Sequence, residues 1–128
     1  MNGLLDTNNF IWSDGKQSLL SPQVRAFMED RRNRLFLSIA SVWEMQIKAQ
    51  VGKLSFQNSL PEVIREQQEQ NGIEILPVTL AHVYALSELP SHHRDPFDRI
   101  IIAQARVENL IVLSADETFS QYSVQLLR

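Results

Sequence analysis

Residues 95–113 read DPFDRIIIAQARVENLIVL, and this stretch decides the fold class. Asp95 followed by Pro96 is a helix start, with the acid at the N-cap and proline in the first turn. The run Ile100-Ile101-Ile102 predicts a helix from Phe97 to about Glu108 that is buried on most sides. Ile111-Val112-Leu113 predicts a short buried strand directly after it.

The alternation extends in both directions. Residues 3–6 read as a first strand, and Phe10-Ile11-Trp12 as a short apolar helical turn broken by Asp14-Gly15. Ser21-Pro22 opens a helix to about Asp30 that buries Val24, Phe27 and Met28. Leu35 to Ser38 is a second strand. Ser41 then opens a helix to a Gly52 C-cap, with Trp43, Ile47 and Val51 four apart on one face. A loop over 53–59 leads to a polar helix from Pro61 to Gln70. Ile73 to Leu76 is a third strand, stopped by Pro77. Thr79 caps a helix carrying Val83 and Leu86, and residues 91–94 form a loop before Asp95. Beyond Leu113, Asp116 caps a short turn and Val124 to Leu126 forms a fifth strand. Strands alternating with helices predict an α/β three-layer sandwich: a mostly parallel central sheet of four to five strands, flanked by helices. With no linker, repeat or low-complexity segment in sight, residues 1–128 are expected to form a single domain.

The chain has no cysteine, which excludes disulfides, thiolate zinc sites and a cysteine nucleophile, and fits a cytoplasmic setting. No apolar run reaches membrane-span length, and no secretory signal is expected. The net charge of −3 does not advertise a nucleic-acid binder. It is unevenly spread, however: residues 1–60 carry a net +2 and residues 61–128 a net −5.

Four acids, two in each part, stand out by position. In a parallel sheet, ligands bind outside the carboxyl ends of the strands. Asp6 ends the first strand, Glu44 lies in the first turn of the helix after the second, Asp98 begins the helix before the fourth, and Asp116 follows the fourth. All four can meet on one edge. Each also has a local explanation. Ser41 and Glu44 have capping-box spacing. Asp98 sits where a helix dipole favours an acid. Asp116 suits a cap. Asp6 is the hardest to dismiss, since it precedes no strongly patterned helix. Carboxylates about 4 Å apart repel by about 4 kcal/mol per pair at an effective dielectric of 20. A convergent cluster therefore calls for protonation or a cation, and oxygen-only ligands favour Mg²⁺ or Mn²⁺. Lys48, one turn after Glu44, admits two readings: a helix ion pair or a phosphate contact. Arg99 and Arg94 beside Asp98 admit solvation or phosphate contact. His92-His93 is weak evidence for a metal site.

In chain order, LLDTNNFIW, SIASVWEMQIKAQVGKL, LPSHHRDPFDRIIIAQA and IVLSADETFSQY together resemble a PIN domain, and more closely the VapC-type toxins of type II toxin–antitoxin pairs. The resemblance implies a PIN-like sandwich and a Mg²⁺- or Mn²⁺-dependent endoribonuclease. Asp6, Glu44 and Asp98 would be its principal acids and Asp116 a fourth. Thr7 would be the hydroxyl that accompanies the first acid. Lys48 and Arg99, read from their positions beside the acids, are the candidates for positioning the substrate. Asp95 keeps its N-cap role. The chain departs from close relatives at Asn8-Asn9, where a histidine often follows the threonine. The resemblance also implies an RNA substrate, a homodimer and a small antitoxin partner. A phospho-receiver domain shares this size and architecture. It would need an acid pair after the first strand and a late lysine, whereas the last lysine here is Lys53. A PIN scaffold that binds without cutting is the other alternative.

Overall fold

In the computed structural model, which describes residues 1–91 and 95–128, five strands form one sheet. They are β1 (Asn2–Leu5), β2 (Arg34–Ser38), β3 (Glu74–Leu76), β4 (Ile111–Leu113) and β5 (Gln125–Leu127). Their order is β3-β2-β1-β4-β5 and every pairing is parallel. The helices are α1 (Thr7–Ser13), α2 (Pro22–Glu29), α3 (Ile39–Gln50), α4 (Leu60–Asn71), α5 (Leu80–Ala85) and α6 (Pro96–Glu108).

Parallel strands need both faces covered, and the strand side chains divide accordingly. Leu4 and Val112 join Ile101, Ile102 and Phe119 in one core. Leu5, Leu37 and Leu113 join Phe10, Val24, Phe27 and Val63 in the other. Gly3 lets α2 lie against the central strand. A Cβ there would come 2.7 Å from Phe27 Cε1 and 3.2 Å from Leu113 Cδ1. α6 buries Ile100 through Ala105 without a break, as its apolar run predicts.

Three helices correct the sequence reading. α1 begins at Thr7, because Asp6 is its N-cap. An acid that looked unattached to any helix in fact starts one. α3 begins at Ile39 with Ser38 as N-cap, so Ser41 is interior, Glu44 falls in the second turn and the capping box does not form. The helix also faces the other way. Ala40, Ser41, Glu44 and Met45 are buried, while Trp43 and Val51 are each 62% exposed. β2 runs into α3 with no intervening loop, so the strand sets the phase of the helix. That phase turns Ser41 and Glu44 toward the sheet edge, where partners satisfy them. α5 buries His82 rather than Val83, which is exposed. The Thr79 N–H donates to His82 Nδ1 at 3.0 Å. The ring proton therefore sits on Nε2 and points at Glu108 Oε2 on α6, 2.9 Å away. His92, His93 and Arg94, and with them most of the 91–94 loop, lie outside the described residues. Among the described residues no helix is long and apolar enough to cross a membrane.

Candidate functional site

From β1 the chain builds outward through β2 to β3, then returns to lay β4 and β5 on the other side. The order reverses between β1 and β4, and a crevice opens at the carboxyl ends of the strands at such a point. Leu5 pairs with Leu113, so the next rung sets Asp6 against Ser114. The Asp6 N–H donates to Leu113 O at 3.1 Å and continues the ladder by one bond.

Asp6 is 6% exposed. Its Oδ1 accepts the Asn9 N–H at 2.8 Å, which is the α1 cap. Its Oδ2 accepts from Ser114 Oγ at 2.5 Å. Ser114, fully buried, in turn accepts the Asp116 N–H at 3.0 Å. The Asp116 carboxylate caps the 3₁₀ turn Glu117–Gln121 through the Thr118 N–H at 2.9 Å. On the other flank Glu44, 7% exposed, accepts from Thr7 Oγ1 at 2.7 Å. Ser41 Oγ lies 3.0 Å from the same threonine hydroxyl. Lys48 Nζ donates to the second Glu44 oxygen at 2.8 Å. Asp98 stands in the first turn of α6, behind Asp95, whose Oδ1 caps the helix by accepting the Phe97 N–H at 2.8 Å.

Electrostatics brings the four acids together. Burial pushes Asp98 up to about 7, and the charges of Asp95, Glu44, Asp6 and Asp116 add to it in that order. Burial also pushes Asp6 up to about 6. The Ser114 and Asn9 hydrogen bonds oppose the rise, and Asp116 and Glu44 reinforce it. The acids therefore share one field. They do not form a closed cage: among the described residues, no three His, Asp or Glu side chains are arranged to hold a metal ion by themselves.

Asp6, Thr7, Glu44, Asp98 and Asp116 are thus gathered on one edge, as predicted. Of the two readings of Lys48, the ion pair is the one realised. Arg99 has main-chain partners. Its guanidinium donates to Pro90 O at 3.0 Å and Leu86 O at 3.2 Å, bracing the chain ahead of α6. Ser114 is the residue the sequence reading missed. Its signal was available: Ser114 follows IVL as Asp6 follows LL, and parallel pairing sets the two strand ends side by side.

A sequence profile of the PIN domain matches residues 3–125. The chain belongs to the PIN domain family. No curated protein sequence matches this PIN chain significantly. Its fold is similar to that of VapBC2 from Rickettsia felis, solved bound to a DNA fragment from its promoter. There the TM-score is 0.73 at 16% identity, over 99% of this chain and 98% of that one. DNA-bound VapBC from Salmonella typhimurium gives 0.70 at 15%, over 99% and 97%. FitAcB from Neisseria gonorrhoeae gives 0.62 at 24%, over 98% and 96%.

Proposed function

We propose that this PIN chain is a divalent-metal-dependent endoribonuclease of the VapC type, the toxin of a type II toxin–antitoxin pair, working in the cytoplasm. The observation that carries the reading is the shared field around Asp6 and Asp98, two half- to fully buried acids raised by burial and by neighbouring acids, Glu44 and Asp116 acting on both. Acids held so close together ionise more readily beside a cation. The donor set suits Mg²⁺ or Mn²⁺, which take oxygen ligands. Mg²⁺ commonly uses one or two carboxylates and keeps several waters, so an open cluster fits it. Asp6 and Asp98 would hold the ion directly. Glu44 and Asp116 would complete the cluster, directly or through water. When bound, the ion supplies Lewis acidity to a phosphodiester and lowers the pKa of a bound water.

The remaining chemistry belongs to the chain. Thr7 orients Glu44 by donating to one carboxylate oxygen. Lys48 neutralises the other, so Glu44 adds less repulsion to the cluster. The acids repel the RNA backbone until their charge is offset, which makes binding of substrate depend on the cation. Arg99 would act on substrate by bracing the segment before α6, not by touching phosphate.

An antitoxin partner is inferred by analogy with the VapBC complexes. Homodimerisation is supported by an outward apolar groove of about 540 Å³ between Ile39, Trp43, Val78 and Phe97. Trp43 and Phe97 meet edge-on there, 5.4 Å between centroids. Trp43→Glu should yield monomers in sedimentation. The decisive test incubates the purified chain with RNA, with Mg²⁺ or with a chelator. Cleavage should require the metal and vanish in Asp6→Asn; cleavage that survives in that variant overturns the mechanism. Expression without a partner should arrest growth, and a short neighbouring reading frame should restore it.

A further inference from the structure

Resting on that metal-dependent reading, we propose that Ser114 is a positioning residue: its hydroxyl locks the Asp6 carboxylate and the Asp116 loop into the one arrangement that receives the cation.

The hydroxyl has one proton and two lone pairs. The Asp116 N–H, 3.0 Å away, occupies a lone pair. The proton is then directed at Asp6 Oδ2, at 2.5 Å. With Oδ1 held by the Asn9 amide, the Asp6 carboxylate is pinned at both oxygens, and one lone pair on each stays available. Ser114 is fully buried between the ends of two paired strands, so it has no freedom to turn elsewhere. The same atom fixes the main chain of Asp116. Two acids separated by 110 positions in the chain are thereby registered through one oxygen. A carboxylate so held loses no rotamer freedom when a cation arrives, and partners of this kind govern metal affinity as strongly as they govern geometry. Glu44 is held in a parallel way by Thr7 and Lys48, but those bonds lie within one flank. The Ser114 hydroxyl instead ties the β1 end to the β4 end by a side chain, beside the main-chain bond from the Asp6 N–H to Leu113 O.

The experiment titrates Mn²⁺ alone against the intact chain, following free Mn²⁺ by its paramagnetic resonance, with melting temperature measured alongside. Wild type should bind saturably. Ser114→Ala should bind about 10- to 100-fold more weakly. Ser114→Thr, which keeps the hydroxyl, should return to near wild-type affinity. Ser114→Cys keeps the volume with a weak donor. It should fall between the two, and it carries the comparison if the alanine variant does not fold. Affinity in the folded Ala or Cys variant equal to wild type overturns the role of Ser114 and leaves the metal reading standing. Equal losses in Thr and Ala also overturn it, because the hydroxyl would then not be the cause. If wild type itself binds no Mn²⁺, the metal reading fails and the Ser114 role falls with it.

Discussion

The two ends of the sheet treat charge in opposite ways. At the amino ends of the strands Glu74 and Asp30 each have an arginine partner. Arg34 on β2 grips Glu74 on β3 through two bonds of 2.9 and 2.7 Å and lies over the Phe36 ring. Arg32 grips Asp30 in the same fashion and holds its carboxyl down to about 2. Asp30, Arg34 and Glu74 line a cleft of about 550 Å³ there. At the carboxyl ends, burial and like charges push Asp6 and Asp98 upward, and Lys48 pairs with Glu44. One end is electrostatically closed. The other gathers buried like charges, which a divalent cation would offset. A cleft alone does not identify a site; buried acids raised by like charge are the more telling sign.

The contrast breaks most visibly at Asp6. Partners around a metal ligand typically cost 10–100-fold when lost, so Asp6→Asn should lower metal-dependent RNA cleavage by more than about 100-fold. Asparagine caps helices as well as aspartate does, so α1 and the melting temperature should survive. Full activity in a folded Asp6→Asn chain would erase the distinction between the two ends.

Stability against pH sharpens it next. Asp6 and Asp98 have folded pKa values above the ordinary 3.8, so their contribution is complete below about pH 4 and is lost as pH rises through 6 and 7. Asp30 is depressed, so its contribution is present above 3.8 and is lost only as pH falls through 2. The metal-free chain should therefore lose melting temperature between about pH 4 and 7. Mg²⁺ should oppose that loss, and Asp98→Asn should flatten it. An Asp98→Asn profile that matches wild type would show that the acids at this edge do not strain one another.

Asp95→Ala should have a smaller effect. Loss of the α6 cap costs about 1 kcal/mol. Removing the nearest like charge lets Asp98 ionise at lower pH, so cleavage should persist at reduced thermal stability. Lost cleavage at unchanged melting temperature would move the metal acid from Asp98 to Asp95. Smallest of all, Arg34→Ala at the closed end should leave cleavage unchanged and melting temperature nearly so, since exposed ion pairs contribute little.

Much of this was legible in the chain. Pro and Ser or Asp at helix starts marked α2 and α6, because caps act within a few residues. Thr79 was recognised as a cap, although its partner His82 was not. The edge shared by Asp6, Glu44, Asp98 and Asp116 followed from strand alternation alone. α3 was misread because amphipathic spacing assumes that the apolar stripe faces inward. Here the outward stripe is Trp43, Ile47 and Val51, and the polar pair Ser41 and Glu44 is the buried one. The partners of Arg99 were not legible, because they are main-chain carbonyls at Leu86 and Pro90, which no side-chain pattern announces.

By itself the sequence determined the layered α/β class, the all-oxygen donor set and the strand ends that carry it. These depend on period, caps and residue type, all of which are local. The tertiary structure alone decided which way α3 faces, which arginine is spoken for, and that Ser114 joins Asp6 to Asp116. Those outcomes depend on strand order and register, which bring residues 6 and 114 to the same rung. Contact across such a separation is a property of the assembled sheet, not of any stretch within it.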